Sequence, residues 1–302
     1  MAPLQMTFVE EDSLAEMLFG KSVIPAAALL KASALPYKPY QPNEMDSRPF
    51  GVDISIYNGT MDYQMMKDYG PNKIAYATAR MGMSWGYQDP KFIKHWTGLR
   101  DVGIPRMAYH VIYPSQAVDP QVAKVMQNWA TVDSDYGEGT LWIDLELSQG
   151  QSPRVVSNKT WEMVRKLRDR MDGWKVGVYS AFWFLSSYAE PQEWWSQVDW
   201  WLANYLYPSA GKEHPGPPAR PPQIPAERVI FHQTSEYIDA LPMGAQGDGN
   251  VRIDGNRFLP STPLSDYIMV APNEEPPPIE EPIYQIRVPL HVGNFGIKVI
   301  KT

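Results

Sequence analysis

Cysteine is absent from the 302 residues, which excludes disulfides, thiolate nucleophiles and thiolate metal sites, and leaves no mark of the redox compartment on the chain. Histidine is scarce. His95, His110, His214, His232 and His291 are scattered without a metal-ligand spacing such as H-E-x-x-H, so neither a metal nor another cofactor is expected. No apolar run approaches the ~20 residues of a membrane helix, and no membrane partner is expected. The formal charge of −7 argues against a nucleic-acid footprint. The segment MAPLQMTFVEEDSLAEMLFGK carries acids where a secretion signal would carry Lys or Arg, so no conventional signal peptide is expected.

What is present is globular: 44% hydrophobic residues, 20% charged, and a length suited to one large domain or two small ones. Three regions separate by composition. Residues 1–49 hold short helical patterns and end in the Pro-rich run PYKPYQPNEMDSRP, which reads as a linker. Residues 50–260 are dense in aromatic and β-branched runs. Residues 261–302 contain the acidic Pro-rich spacer APNEEPPPIEEP and a possible β-hairpin arm in YQIRVPLHVGNFGIKVIKT.

The middle region contains eight strand-like runs, at 50–56, 73–80, 105–112, 140–147, 175–180, 199–205, 228–234 and 250–255. Helical patterns lie between the early ones, including MDYQMMKDYG with Asp62 as its cap, DPKFIKHWTGLRDVG, DPQVAKVMQNWATV and NKTWEMVRKLRDRM. Strand alternating with helix predicts a parallel α/β sheet, and eight such strands predict an irregular TIM-like (β/α) barrel. The stretch KEHPGPPARPPQIPAE is too Pro-rich for a helix, so helices should be reduced in the second half.

The fourth run, LWIDLELSQ, poses the functional question. On a strand, Asp144 and Glu146 share one side while Ile143, Leu145 and Leu147 share the other. Confining two carboxylates together is costly and raises at least one pKa. In a barrel, chemistry gathers at the carboxyl ends of the strands. Asp53 interrupts the first run and Asp254 the last, and those two strands become neighbours on closure. Four acids, Asp53, Asp144, Glu146 and Asp254, are therefore expected around one aromatic-lined mouth, as in a glycosidase where one carboxyl protonates the leaving oxygen and another stabilises charge at the sugar carbon. Alternate strand residues stand about 6.5 Å apart at Cβ, which leaves retaining and inverting chemistry both open. Tyr109, Tyr179, Trp201 and Tyr205, at or near strand ends, and Gln233 are candidate sugar-binding residues, with barrel packing as the alternative for the aromatics. Asn256 and Arg257 are expected to fix the last turn.

The ordered motifs GVDIS-x-YNG-x-x-D (51–62), AYH (108–110), D-L-E (144–146), GVYS (177–180), W-L-A-N-Y (201–205), Gln233 in FHQTS and IDGNRF (253–258) resemble those of glycoside hydrolase family 25, over about 70% of the chain. That family contains the Chalaropsis-type lysozymes, which are N-acetylmuramidases. The resemblance implies a modified α/β barrel that cleaves the β-1,4 bond between N-acetylmuramic acid and N-acetylglucosamine in peptidoglycan. It implies Glu146 as general acid, Asp144 as its partner assisting the substrate acetamido group, and Asp53 and Asp254 as the remaining site aspartates. A chitinase-like hydrolase is the lesser alternative, because the longer D-x-x-D-x-D-x-E signature is absent. The terminal extensions raise another alternative, a module docked on a phage virion or contractile injection system. An enzyme of this kind would reach the cell wall by lysis, holin-type export or particle delivery.

Overall fold

The computed structural model describes residues 38–70 and 73–268. Its strands are β1 (Phe50–Ile54), β2 (Ile74–Met83), β3 (Tyr87–Gln88), β4 (Arg106–Val111), β5 (Leu141–Asp144), β6 (Val176–Ala181), β7 (Trp200–Ala203), β8 (Val229–Asp239) and β9 (Arg252–Phe258). The two-residue β3 folds back on the end of β2, and the other eight strands close a barrel through the β1–β2 pairing. The ring runs parallel from β1 to β8, but β9 is antiparallel to both β8 and β1, which corrects the expectation of a uniformly parallel barrel. The connection from Asp239 to Arg252 holds one 3-10 turn and no crossover helix, so the chain can only turn back on itself.

The helices are α1 (Tyr63–Asp68), α2 (Phe92–Val102), α3 (Val118–Ala130), α4 (Pro153–Arg170), α5 (Phe182–Tyr188) and α6 (Leu264–Tyr267). Asp62 caps α1 by accepting the Met65 N–H at 3.0 Å, and Ser152 caps α4, with Pro153 in its first turn. Between β7 and β8 only 3-10 turns occur, as the prolines predict. Among the described residues no helix is long and apolar enough to cross a membrane. The helical pattern expected near the N-terminus and the C-terminal spacer and hairpin lie outside the described residues.

Period-two alternation sorts the strand side chains into two cores. Val52, Ala77, Ala79, Ala108, Leu141, Ile143, Val178 and Leu202 belong to the outer one, which also holds Trp96, Trp129 and Leu167 from α2, α3 and α4. Inside the ring, Tyr76, Met107, Trp142, Phe231 and Phe258 form a floor of large rings and sulfur. Two motif glycines make that floor possible. A Cβ at Gly51 would collide with the Tyr76 ring, and one at Gly177 would stand 2.5 Å from Trp142.

Residues 38–49, expected as linker, run along the barrel wall. Tyr40 bridges to Ile238, and its N–H donates to the Tyr237 carbonyl at 3.0 Å. The following residues are held by Arg257 of β9, which is fully buried. Its guanidinium makes five hydrogen bonds: two to the Glu213 carboxylate at 3.1 and 2.7 Å, and one each to the carbonyls of Asp46, Arg48 and Asn43. Glu213, in the Pro-rich connection, also accepts from Thr234 Oγ1 at 2.6 Å and from the Asn43 N–H at 2.7 Å. Every guanidinium proton and both carboxylate oxygens therefore have partners, the condition under which a buried ion pair is tolerated. Arg257→Met is expected to lower the unfolding free energy in urea by about 3–5 kcal/mol, because Glu213 would be left charged and buried. Arg257→Met with Glu213→Met should recover a large part, and a single variant as stable as the parent would refute this role for the pair.

Candidate active site

The mouth of the barrel gathers carboxylates from three strands. Asp53 on β1 and Asp254 on β9 are directly paired across the antiparallel ladder, so the reversed strand places its beginning, not its end, at the mouth. Gln233 of β8 donates through Nε2 to Asp53 Oδ2 at 2.8 Å and stands 3.5 Å from Asp254 Oδ2. Asn256 donates to the same Asp53 oxygen at 2.9 Å, and its own Oδ1 accepts from Trp201 Nε1 at 2.8 Å. Gln233 Oε1 accepts from the hydroxyls of Tyr179, at 2.7 Å, and Tyr205. A reversed Gln233 amide would set its oxygen against two carboxylates, so the network fixes its orientation.

The other pair rises from β5. Trp142 and Asp144 belong to the inside of the barrel, Ile143 and Leu145 to the outer core, as alternation predicts. The regular strand ends at Asp144, yet the next residues are tied to β6: the Leu145 N–H donates to the Tyr179 carbonyl at 2.9 Å, and Ser180 Oγ donates to the Leu145 carbonyl at 2.7 Å. That tether carries the alternation one step further and delivers Glu146, half-buried, to within 3.4 Å of the Tyr179 hydroxyl. Asp144 is 6% exposed, and its Oδ1 has no hydrogen-bond partner among the described residues. An acceptor left buried and unpaired costs about 1–3 kcal/mol, so the fold holds it against its own stability.

All four acids are pushed toward the protonated form. Burial raises Glu146 from 4.5 to about 7; the Tyr179 hydroxyl opposes this, while the charges of Asp53 and Glu236 add to it. Burial raises Asp53 to about 6 against the hydrogen bonds from Asn256 and Gln233. Asp144 is raised well above the ordinary range by burial and then by Glu146, with Arg80 pulling it back. Asp254 is raised by burial and by Asp53 beside it. The cluster is thus built to share protons near neutrality, which suits acid–base chemistry on one substrate.

Of the expected sugar-binding residues, Tyr179, Tyr205 and Gln233 enter this network directly, and Tyr109 lies inside the barrel with its ring edge-on to Trp201 at 6.2 Å. Trp201 is buried beneath, between Tyr109, Trp142 and Tyr179, and supports the site through Asn256 instead of offering a stacking face. Sequence reasoning missed Arg80, buried on β2 in an ion pair with Asp89 at 2.7 Å and 4.9 Å from the Tyr57 ring centre. It also missed Glu236 and the exposed aromatics Tyr57 and Trp85. For Arg80 a signal existed: a lone Arg in the apolar run IAYATAR needs an internal partner.

A barrel with a reversed last strand and acids converging on its mouth defines a glycosidase-like architecture. Residues 52–236 match the family description "Glycosyl hydrolases family 25", and the chain belongs to that family. Among solved structures it is similar to the bacterial lysozyme from Streptomyces coelicolor, at 18% identity and a TM-score of 0.54, covering 72% of this chain and 94% of that one. It is likewise similar to a family 25 lysozyme from Aspergillus fumigatus, at 16% identity and a TM-score of 0.55, covering 73% and 97%. Among curated proteins, the uncharacterized protein YegX of Escherichia coli is 26% identical over 157 residues, 51% of this chain. The match spans 56% of YegX, so the chain covers little more than half of that relative's length.

The raised pKa values predict a pH dependence of stability. An acid whose folded pKa lies above its unfolded value adds stability that is fully present below the unfolded pKa and is lost as pH rises through the folded one. For Glu146 that window runs from 4.5 to about 7. The unfolding free energy is therefore expected to fall between pH 4.5 and 7.5, and Glu146→Gln should reduce that fall by about 1–3 kcal/mol. Denaturant titrations at several pH values check this; identical slopes in both proteins would count against it.

Proposed function

We propose that this chain is a peptidoglycan hydrolase of the muramidase type, with residues 50–260 as its catalytic barrel, cleaving the β-1,4 bond between N-acetylmuramic acid and N-acetylglucosamine in the bacterial cell wall. The observation that carries the reading is the pair Asp144 and Glu146 at the end of one strand, one with an unpartnered buried oxygen and the other favoured in its protonated form near neutral pH. Family membership and the lysozyme and muramidase names of the structural neighbours support it.

Glu146 donates its proton to the glycosidic oxygen as the bond from the muramic acid C1 breaks. The leaving sugar departs as an alcohol, and the 2-acetamido carbonyl oxygen of the muramic acid bonds to C1 in its place. Asp144 Oδ1 is the acceptor suited to that acetamido N–H, orienting the group and stabilising the positive charge that develops on it. Water then attacks C1, the acetamido C–O bond breaks, and Glu146, now a carboxylate, takes the water proton. The charges of Asp53 and Glu236 add to the burial that keeps Glu146 protonated, and Arg80 is the group that draws Asp144 toward its ionised form, against burial and Glu146. Tyr179, Tyr205 and Gln233 hold the acids in place at the floor of the sugar site, and Tyr109 lies beside them.

On isolated peptidoglycan, the protein is expected to release muropeptides ending in reducing N-acetylmuramic acid, detected by mass spectrometry. Glu146→Gln should lower the rate by about 10²–10⁴-fold, with Asp144→Asn also impaired. A folded Glu146→Gln protein with near-parental hydrolysis would falsify the assignment.

A further inference from the structure

We propose that the β2–β3 hairpin is a distal sugar subsite in which Trp85 stacks on a glycan ring beyond the acid cluster, so that the mouth grips a polymeric strand in preference to a short oligosaccharide. This rests on the muramidase reading, and it names residues which that reading does not use.

The hairpin extends past the last mouth-level residue of its strand. Arg80 lies in the pairing with β4 opposite Tyr109, and Met81–Met83 continue beyond it before the chain turns through Ser84, Trp85 and Gly86 into β3. Trp85, at the tip, is 58% exposed. Its turn is not loose. Ser84 has a φ of 55°, a left-handed conformation that a residue with a Cβ adopts only at a cost, and the surroundings hold it there. The Ser84 N–H donates to the Val111 carbonyl at 3.0 Å, buried His110 donates from Nε2 to the Ser84 carbonyl at 3.1 Å, and the Trp85 N–H donates to Gln116 Oε1 at 3.2 Å. Three bonds to β4 and the loop after it hold the backbone of a turn whose indole is exposed, where its apolar surface contributes little to the free protein.

Between the hairpin and the acids stands Arg80 with its aromatic neighbours. Tyr57, just past β1 and 53% exposed, carries the Arg80 guanidinium over its ring. Tyr87 and Tyr113 stand within electrostatic reach of the same guanidinium, and the Tyr113 hydroxyl lies 3.5 Å from Met83 Sδ. Arg80 in turn bears on Asp144 and Tyr109. At the mouth, the Arg80 guanidinium of the strand that carries the hairpin therefore lies over Tyr57, with Tyr109 opposite on β4. Pyranose rings of N-acetylated sugars present an apolar C–H face and a polar edge, which suits rigid amphipathic aromatics, and a chain of such rings suits a row of them.

The test measures binding apart from hydrolysis. In a Glu146→Gln background, peptide-free glycan strands of two, four, six and eight sugars are titrated by calorimetry, with and without Trp85→Ala. Loss of Trp85 is expected to weaken binding of the longer strands about five- to tenfold, to change the disaccharide less than about twofold, and to be largely rescued by Trp85→Phe. Equal affinity with and without Trp85 at every length would overturn the proposal, even if the parent protein releases reducing muramic acid and the muramidase reading stands. Length-dependent binding through Trp85 with no release by the parent would instead overturn the hydrolase reading and leave this subsite in place.

Discussion

Arg257 is the side chain on which the arrangement depends. Its guanidinium joins three segments: the stretch around Asn43–Arg48, the Pro-rich connection at Glu213, and the last strand. Because side chains alternate on β9, fixing Arg257 on the outside fixes Asn256 and Asp254 on the inside, where one hydrogen-bonds Asp53 and the other pairs with it across the ladder. An outer ion pair thus sets the register of the inner acids. A one-residue slip of β9 would turn Arg257 into the mouth and Asp254 out of it.

Within the mouth, the governing constraint is the confinement of like charges. Four carboxyls share a small volume with one nearby guanidinium, itself partly committed to Asp89. Gln233 reconciles the arrangement by presenting its amide N–H groups to the acids and its oxygen to two tyrosine hydroxyls. The floor below is aromatic and buried, and the protonation of each acid depends on its neighbours. That coupling is what a reaction needing an acid at one step and a base at the next requires.

Much of this was legible from residue patterns. The eight strands follow from runs of β-branched and aromatic residues, and the missing helix after β7 follows from proline. Asp53 and Asp254 were correctly placed as neighbours, though by an argument from parallel strands that β9 does not obey; closure of the ring is enough to bring them together in either direction. The direction of β9 was not legible, because period-two alternation is the same read both ways. Nor was the fate of the tryptophans: Trp194, Trp195 and Trp200 pack against one another in the outer core, Trp201 sits inside the ring and Trp183 is exposed, distinctions that depend on tertiary contacts. Residues 38–49 read as linker because prolines and polar side chains dominate, whereas much of their docking goes through backbone N–H and carbonyl groups, which leave no trace in side-chain composition.

The reversed last strand also bears on the order in which the protein acquires its parts. During synthesis, the parallel strands from β1 to β8 precede residues 252–258, and from β2 onward each can pair with a neighbour already made. The seam between β1 and β8 stays open until β9 arrives, since no other strand among the described residues bridges them. Asp254, Asn256 and Arg257 arrive together on that strand, so the closing piece of the barrel brings with it the second aspartate of the site, one of the two amide donors to the first, and the anchor for residues 43–48. A nascent chain short of β9 holds Asp144 and Glu146 but not the constellation around them, and folding to completion and assembly of the site become a single late, long-range event.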